Sequence, residues 1–478
     1  MTDSKIYQVV SQLKRIEQNR LRKYVQSPYF NANEILVVLL DILLQHQQQN
    51  GKAETPFTKQ KIWTLLPDTH GVYNDLRFRK LCSDLLSLTE NFLSQEIYEA
   101  DKLQHASYLI EAVTQHKLDK LYNNAERNAD VESLRYPYRT SEYYFKQYQI
   151  QKNLYDLRDA DVNRFEKSNI ELIINNLDYF YLAEKMRWYS TILNRKNLIS
   201  HDYSLLFVDE IISHLQKYPY EEILPISISY LTYQIHLESP DDSHYFNLKK
   251  LLYENERLLS HNENKLNYFY LLNFAQRKLN QGNVIFLKEY LELFKYLLNT
   301  DFLLENGQLD PWLFRNVVTI ALRLSEYKWT EEFLDNYKNK LPPDQIDNAV
   351  RYNYATLYFY QKKYEKAIPL LNAVEFNDLG YNLNSKTILI AIYYELDEDN
   401  ALSALMDSFK TFLNRHKEIT GERRLLYLNL IKYTKKLLKL NPGDKTEIAK
   451  IRAEIEEDKK KAGVASLRWI YDKLEELE

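Results

Sequence analysis

Cysteine is almost absent from this chain of 478 residues, in which Cys82 is the single example. One thiol cannot form an internal disulfide, nor a zinc or iron-sulfur site that needs several thiolates. The cysteine count therefore favours a reducing compartment. We interpret Cys82 as a small apolar residue on the inner side of a helix.

Glycine and proline are also scarce, with 8 and 12 residues, and the alternation typical of strands is hard to find. The motifs Gly-x-Gly-x-x-Gly and Gly-x-Ser-x-Gly do not occur, and the segment 443–446 lacks the earlier glycine of a phosphate loop. We therefore expect an all-α chain without a β-sheet in its second half. We also predict no enzymatic activity and no cofactor.

Long hydrophobic runs are missing. The most apolar run, residues 35–44, has about ten residues and contains Asp41, whereas a membrane-spanning helix needs roughly 20. The first residues lack the order of basic, apolar and small residues that marks an export signal. We expect a cytoplasmic protein with no membrane partner.

A strong excess of either charge is absent as well, since 63 basic residues face 67 acidic ones and the net charge is −4. This balance argues against a surface that coats nucleic acid or membrane. Residues 410–440 are a local exception, with nine Lys or Arg against two Glu. Four of these basic residues share about a quarter of one predicted helix, and this predicts either a solvated face or a site for phosphates or an acidic segment. They are Arg424, Lys432, Lys435 and Lys439.

Tyrosine, by contrast, is abundant, with 40 residues. An aromatic-rich block follows the break at 136–138, and aromatic residues at helical spacing predict packing between helices or a groove that grips a peptide or stacks bases. The block comprises Tyr143, Tyr144, Phe145, Tyr148, Tyr155, Tyr179, Phe180, Tyr181, Trp188 and Tyr189.

Two stretches within residues 348–409 carry similar apolar residues 34 positions apart. Small residues such as Ala355, Ala367 and Ala401 let two helices approach, and large residues three and four positions away fill the space. Such a hairpin cannot bury its apolar face alone, so neighbours must stack on it. The first copy has Tyr354, Ala355, Tyr358, Tyr364, Ala367, Ile368 and Leu371, and the second has Ile388, Leu389, Ile392, Glu398, Ala401, Leu402 and Leu405.

This pattern resembles the tetratricopeptide repeat (TPR), although Arg351 and Ser385 stand where that family has tryptophan. The layout of the chain, with residues 27–31 and 468–473, also resembles bacterial helical-repeat proteins of unassigned activity. The resemblance implies an α-solenoid of antiparallel helix pairs, that is, a TPR-like superhelix. Four segments are predicted: an N-terminal helical cap (1–134), degenerate hairpins (135–265), TPR-like repeats (266–440) and a C-terminal capping helix (441–478).

In TPR proteins the first helix of each pair lines a concave groove. The resemblance therefore implies a partner-binding surface on this chain. Its residues would be Tyr352, Thr356 and Phe359 from one copy and Lys386, Ile390 and Tyr393 from the next.

Two weaker patterns point elsewhere. Residues 67–71 form a turn before a helix with Arg77, Arg79 and Lys80, which is compatible with a DNA-reading helix-turn-helix or with a packed cap. His236 and His244 flank acidic residues, but they lack the spacing of metal ligands on one helix face, and we interpret them as part of a solvated turn.

These observations favour a non-enzymatic scaffold or adaptor that binds a peptide or helix of another protein in the groove. The alternative is a nucleic-acid-associated regulator that uses the N-terminal helices and the basic face.

Overall fold

The structure, a computed structural model, describes residues 1–48, 57–67, 72–159, 168–196, 203, 205–237, 239–374, 379–416 and 418–478. Within these ranges the chain is almost wholly helical, which confirms the predicted all-α class. Every helix in the same ranges is too short or too polar to cross a lipid bilayer. The α-helices are α1 (Lys5–Gln12), α2 (Arg15–Gln26), α3 (Glu34–Gln48), α4 (Lys59–Leu65), α5 (Asp75–Ala100), α6 (Lys102–Gln115), α7 (Tyr122–Arg135), α8 (Ser141–Asp159), α9 (Ile170–Lys196), α10 (Val208–Lys217), α11 (Leu224–Ile235), α12 (Asp242–Asn255), α13 (His261–Asn280), α14 (Ile285–Leu298), α15 (Pro311–Arg323), α16 (Tyr327–Tyr337), α17 (Ile346–Tyr360), α18 (Tyr364–Asn372), α19 (Leu379–Glu395), α20 (Asp399–Arg415), α21 (Gly421–Leu437), α22 (Lys445–Lys461) and α23 (Leu467–Glu476).

The chain divides into two compact units, Met1–Tyr230 and Leu231–Glu478. Among the predicted segment boundaries, the one at 134/135 lies at the end of α7 and the one at 440/441 lies between α21 and α22. The boundary predicted at 265/266 falls inside α13. That helix begins at His261 because Ser260 and Glu263 form a reciprocal capping box before it.

In the first unit, α1 to α5 enclose one hydrophobic core. The sequence predicts a single helix over residues 4–25, but the structure has α1 and α2, separated by extended backbone at Leu13 and Lys14. The buried amide of Gln18 donates hydrogen bonds to the carbonyls of Val10 and Leu13, at 3.2 and 3.0 Å. It thereby satisfies the carbonyl of Leu13 beyond the end of α1 and gives a second donor to that of Val10, which also accepts the Leu13 amide at 3.3 Å.

A second core of this unit lies among α6, α7 and α8 and includes Ile110, Ala129 and Leu154. The next helix, α9, packs along α8. Aromatic rings join the two helices, with the ring centroids of Phe145 and Phe180 4.8 Å apart. This pairing agrees with the predicted role of the aromatic-rich block in helix packing.

Four helix connections in the described part of the second unit share one turn geometry. A residue with positive φ stands at Gly282, Ser325, Lys362 and Asp397, between α13 and α14, α15 and α16, α17 and α18, and α19 and α20. In each turn the next residue donates its amide to the carbonyl five positions earlier, as in a Schellman motif. The bonds are Asn283 to Lys278 (3.0 Å), Glu326 to Ala321 (2.9 Å), Lys363 to Tyr358 (2.8 Å) and Glu398 to Tyr393 (3.0 Å).

The turns also measure the spacing of the two clearest copies. The positive-φ residue at position 362 corresponds to the one at position 397, which is 35 positions later, not the predicted 34. The sequence also predicts Pro369 in the first turn of a helix, where its missing amide hydrogen costs little. In the structure it is the sixth residue of α18, because that helix begins directly after the turn.

A small β-hairpin departs from the expectation of no sheet in the second half. Strands β1 (Leu304–Glu305) and β2 (Gln308–Leu309) pair antiparallel, with Leu304 opposite Leu309. Asn306 and Gly307 connect them, both with positive φ. Asn-Gly is the preferred pair for this type of tight turn, so the sequence carried a signal that the helical pattern obscured.

Residues 441–478 form two helices, α22 and α23, where the sequence predicts one. Gly463 and Ser466, both with positive φ, break the helix between them. A Cβ atom on Gly463 would lie 3.2 Å from the side chain of Leu426, so α21 also approaches this turn closely. One hydrophobic core joins α19 to α23.

Candidate functional site

A cleft of about 340 Å³ lies in the second unit, on helices α15, α17, α19 and α21. We call it the first-helix cleft, because α15, α17 and α19 each come first in one of the helix pairs. The turn between α22 and α23 forms one of its walls. Its lining residues are Thr319, Tyr352, Thr356, Phe359, Tyr360, Asn384, Thr387, Ile388, Leu426, Tyr427, Ala465 and Ser466.

The structure brings three of the six predicted groove residues to this cleft, namely Tyr352, Thr356 and Phe359. Tyr352 and Thr356 are only 7% and 4% exposed, so they form the floor of the cleft. Phe359 is half-buried.

The other three predicted groove residues do not line the cleft. Ile390 is fully buried in the core that joins α19 to α23, so its prediction as a surface residue is wrong. Tyr393 packs half-buried against the same core. The ammonium of Lys386 lies 5.6 Å from the ring centroid of Phe412, and burial lowers the pKa of Lys386.

The one-residue error in spacing explains part of this difference. A helix turns about 100° per residue, so a shift of one position points a side chain to another face. With a spacing of 35, Tyr352 corresponds to Thr387, which does line the cleft. Thr356 and Phe359 then correspond to Ala391 and Tyr394, which do not line it. The adjacent aromatic pairs at 358–359 and 393–394 are 35 positions apart and were the available signal.

Sequence reasoning missed the polar residues that α15, α19 and α21 contribute. The amide of Asn384 accepts a hydrogen bond from the Tyr427 hydroxyl at 3.4 Å. The hydroxyl of Thr387 donates to the carbonyl of Leu383 at 2.9 Å, within its own helix. Burial raises the pKa of Tyr352 and of Tyr360, so both phenols stay neutral at neutral pH.

The lining therefore offers hydroxyls, one amide and aromatic rings, and none of its twelve residues carries a carboxyl, imidazole, ammonium or guanidinium group. Groups of this kind exchange hydrogen bonds with neutral polar groups such as peptide bonds and give apolar contact area. This arrangement suits recognition of a neutral, partly apolar segment.

The C-terminal helix is fixed beside the cleft through Glu395, at the end of α19. The carboxylate of Glu395 accepts a hydrogen bond from the Trp469 indole at 3.0 Å and pairs with Lys473 at 2.7 Å. Burial lowers the pKa of Lys473, but hydrogen bonds to Glu395 and Glu476 outweigh it and the net pKa is raised. The wall formed by Ala465 and Ser466 is thus held in place.

Three of the four residues of the predicted basic face are engaged within the chain. The guanidinium of Arg424 donates to the carbonyls of Leu413, His416 and Ile419, at 2.9, 3.2 and 3.1 Å, at the end of α20 and just after it. Lys432 pairs with Asp458 at 2.9 Å, and Lys435 pairs with Asp407 at 3.2 Å. Lys439 is exposed and forms no ion pair with the residues that the structure describes.

The other candidate patterns are also integrated into the fold. Arg77 lies 5.8 Å from the Trp63 ring centroid and Arg79 pairs with Asp75 at 2.7 Å, while turn residues 68–71 lie outside the described residues. His236 is buried, with its Nδ1 2.7 Å from the carbonyl oxygen of Thr232, and burial lowers its pKa. It is therefore not part of a solvated turn, and the neighbouring residue 238 is outside the described residues.

No group of three or more His, Cys, Asp or Glu in the described ranges is arranged to hold a metal ion. The thiol of Cys82 lies half-buried against the core of α1 to α5. Burial raises the pKa of this thiol to about 11.

Neither protein-family models nor curated proteins nor solved structures give a match to this chain.

Proposed function

We propose that this chain is a non-enzymatic interaction scaffold that binds a peptide or helix of another protein in the first-helix cleft. The observation that carries the proposal is that alternate helices, α15, α17, α19 and α21, line one cleft. In a stack of helix pairs, the first helices face one side and the second helices the other. A partner on the first-helix side then contacts several pairs at once.

A TPR-like α-solenoid is the architecture that we propose for these pairs. It is supported by the Schellman turn that recurs at Gly282, Ser325, Lys362 and Asp397. It is also supported by the contacts of α17 with both α15 and α19. In this proposal the helices α22 and α23 cover the C-terminal end of the stack, as a solenoid requires.

The lining of the cleft limits the chemistry of the partner. Since it has rings, hydroxyls and one amide but no charged group, it favours an uncharged stretch of chain over an acidic or basic motif. The Asn384 amide offers both a donor and an acceptor to a peptide bond. Binding would rest on aromatic contact area, and we expect only weak dependence on salt.

Nucleic-acid binding has less support, because Arg424, Lys432 and Lys435 already have partners within the chain. It predicts the opposite salt behaviour, since phosphate contacts weaken steeply as salt rises.

The test is affinity capture with the full chain from lysate of the native host, at low and high salt, followed by mass spectrometry. Ile388→Arg places a long side chain in the cleft at a half-buried position. We expect it to reduce capture of the specific partner by about 10-fold or more while the melting temperature stays close to that of the wild type.

Ala404→Arg is the matched control, because it adds the same side chain at an exposed position on the second helix α20. Retention of the partner by Ile388→Arg, or equal loss with both variants, would overturn the proposal. Capture that disappears at high salt and consists of nucleic acid would support the alternative.

A further inference from the structure

Helix α9 in the first unit leaves a regular line of large side chains exposed. Six of its apolar residues are between 41% and 53% exposed. All of these except Leu172, together with Glu184, follow one another at alternating intervals of four and three residues. We call this line the α9 seam: Ile170, Ile174, Leu177, Tyr181, Glu184 and Trp188.

The seam lies on the side of α9 that points away from its buried residues. Leu182, Ala183 and Met186 are at most 7% exposed. At about 100° per residue their mean direction is roughly opposite to that of the seam. The buried side is the one that the protomer itself covers, and the seam is left over as a second apolar face.

Spacing of this kind is the signature of a coiled-coil interface, in which apolar residues at alternating intervals of three and four meet a partner helix. The seam spans 19 residues, from 170 to 188, and is therefore about 27 Å long. Exposed apolar rows of this length mark association surfaces. We propose that α9 packs antiparallel against α9 of a second copy of this chain.

The antiparallel direction follows from the charges beside the seam. Glu171 and Lys185 flank it on the same side, 14 residues apart. In an antiparallel pair this flank faces its own counterpart, which sets Glu171 of each copy opposite Lys185 of the other. Within its own chain the Lys185 ammonium lies 5.3 Å from the ring centroid of Tyr189 and 5.8 Å from those of Tyr181 and Phe207, so it would turn from these rings towards the Glu171 carboxylate. In a parallel pair the charged flank of one copy faces the opposite flank of the other copy. That flank has Ile173 and Phe180 at the facing positions, so no opposite charges meet.

The same geometry aligns the seam in layers. A two-fold axis near residue 179 places Ile170 of each copy opposite Trp188 of the other, and Leu177 of each copy opposite Tyr181 of the other. Glu184 is the polar member of the seam and faces Ile174. Its carboxylate already accepts hydrogen bonds from Ser141 and Arg187, each at 2.6 Å, and from the Trp188 indole at 3.0 Å, so it brings no unpaired charge to the layer.

Asp178 provides an independent check, because it lies on the charged flank between Glu171 and Lys185. Two-fold symmetry places it opposite Asp178 of the second copy. The antiparallel dimer therefore contains one repulsive pair at its centre, which a parallel dimer or a different partner would not have.

Sedimentation velocity of the full chain over a wide range of protein concentration tests the dimer. We expect Ile174→Gln combined with Leu177→Gln to weaken dimerisation by about 100-fold or more, because each change occurs twice in the dimer. Leu172→Gln is the matched control on the same helix, since Leu172 is 51% exposed but lies outside the seam. Circular dichroism confirms that the variants remain folded.

Charge exchange tests the direction. Glu171→Lys should weaken the dimer about 5-fold, and Glu171→Lys with Lys185→Glu should restore it. Asp178→Asn, which leaves Lys185 intact, should tighten the dimer about 3-fold.

A chain that is monomeric at all concentrations, or a dimer that tolerates the Ile174 and Leu177 changes, would overturn the proposal. Failure of the double exchange to restore the dimer, together with no effect of Asp178→Asn, would overturn the antiparallel arrangement.

Discussion

Helices α9 and α21 each carry a conspicuous sequence pattern, and in both the structure places the side chains differently from what the pattern suggests. In the sequence, α21 is the helix with an excess of basic residues, whereas α9 is rich in aromatic and apolar residues that suit a core. In the structure, Arg424, Lys432 and Lys435 of α21 are bonded to neighbouring helices and connections. The five apolar residues of the α9 seam remain 41% to 53% exposed.

The difference teaches that residue type does not tell whether a side chain is already satisfied. A charged side chain can be bonded within the fold, and an apolar side chain can remain exposed on the protomer. Substitution of the bonded charged residues on α21 should therefore reduce stability more than substitution of the exposed apolar residues on α9. Composition alone suggests the opposite order.

Arg424→Ala should have the largest effect, a loss of about 2 kcal/mol in the free energy of unfolding, because three carbonyls at the end of α20 and just after it lose a charged donor. Urea unfolding measures it. Arg423→Ala, at the exposed neighbouring position, is the control and should change stability by less than about 0.5 kcal/mol. Equal effects of the two variants would show that the carbonyl contacts do not matter.

Asp458→Asn should cost about 1 kcal/mol at pH 7, since the oxygen that accepts from Tyr433 at 2.7 Å and from Lys432 at 2.9 Å loses its negative charge. The Tyr433 hydroxyl, and then Lys432, lower the pKa of Asp458.

A carboxyl whose pKa is lower in the folded state stabilises the fold above its unfolded pKa, and this stabilisation is lost as the pH falls through the folded pKa. The gap between wild type and Asp458→Asn should thus close in acid, as the pH falls below the ordinary pKa of an aspartate and through the lowered pKa of Asp458. A gap that is constant from pH 7 to pH 2.5 would contradict this pairing.

Lys435→Ala should cost no more than about 0.5 kcal/mol, because Lys435 and Asp407 are both largely exposed. Unfolding in low and high salt measures it, and added salt should remove even this small effect. A larger, salt-independent loss would mean that the pair is more enclosed than its exposure indicates.

Leu177→Gln should have the smallest effect on the protomer, within about 0.5 kcal/mol at concentrations where the chain is monomeric, although it replaces an apolar residue. Thermal unfolding at high dilution measures it, with Leu182→Gln as the contrast, since Leu182 is buried on the same helix. Strong destabilisation by Leu177→Gln would show that the seam is part of the protomer core.

The sequence predicted helices well because their apolar spacing and their breaks are local properties. It failed at Leu13 and Lys14, where the amide of Gln18 stabilises the break, because a hydrogen bond from a side chain to the backbone leaves no trace in the apolar spacing. It also failed at 304–309, where the Asn-Gly turn determines the conformation of a few residues against the helical trend.

Prediction of the candidate site depended on the spacing between the two copies. One correct copy gave Tyr352, Thr356 and Phe359, which line the cleft. An error of one position in the other copy missed Thr387, which lines the cleft, but the corrected spacing still replaces the buried Ile390 with the buried Ala391. The contributions of α21 and of Ser466 could not be predicted from the repeat, because they depend on how the last helices pack against α19.

The single thiol has a practical consequence for measurements on this molecule. With its pKa at about 11, Cys82 is ionised at neutral pH in only about one molecule in ten thousand, against about 3% for an ordinary exposed cysteine. A cysteine introduced at an exposed position would thus react with a maleimide dye far faster than the native one. The wild-type chain is already a suitable background for fluorescent labelling beside the cleft or along α9.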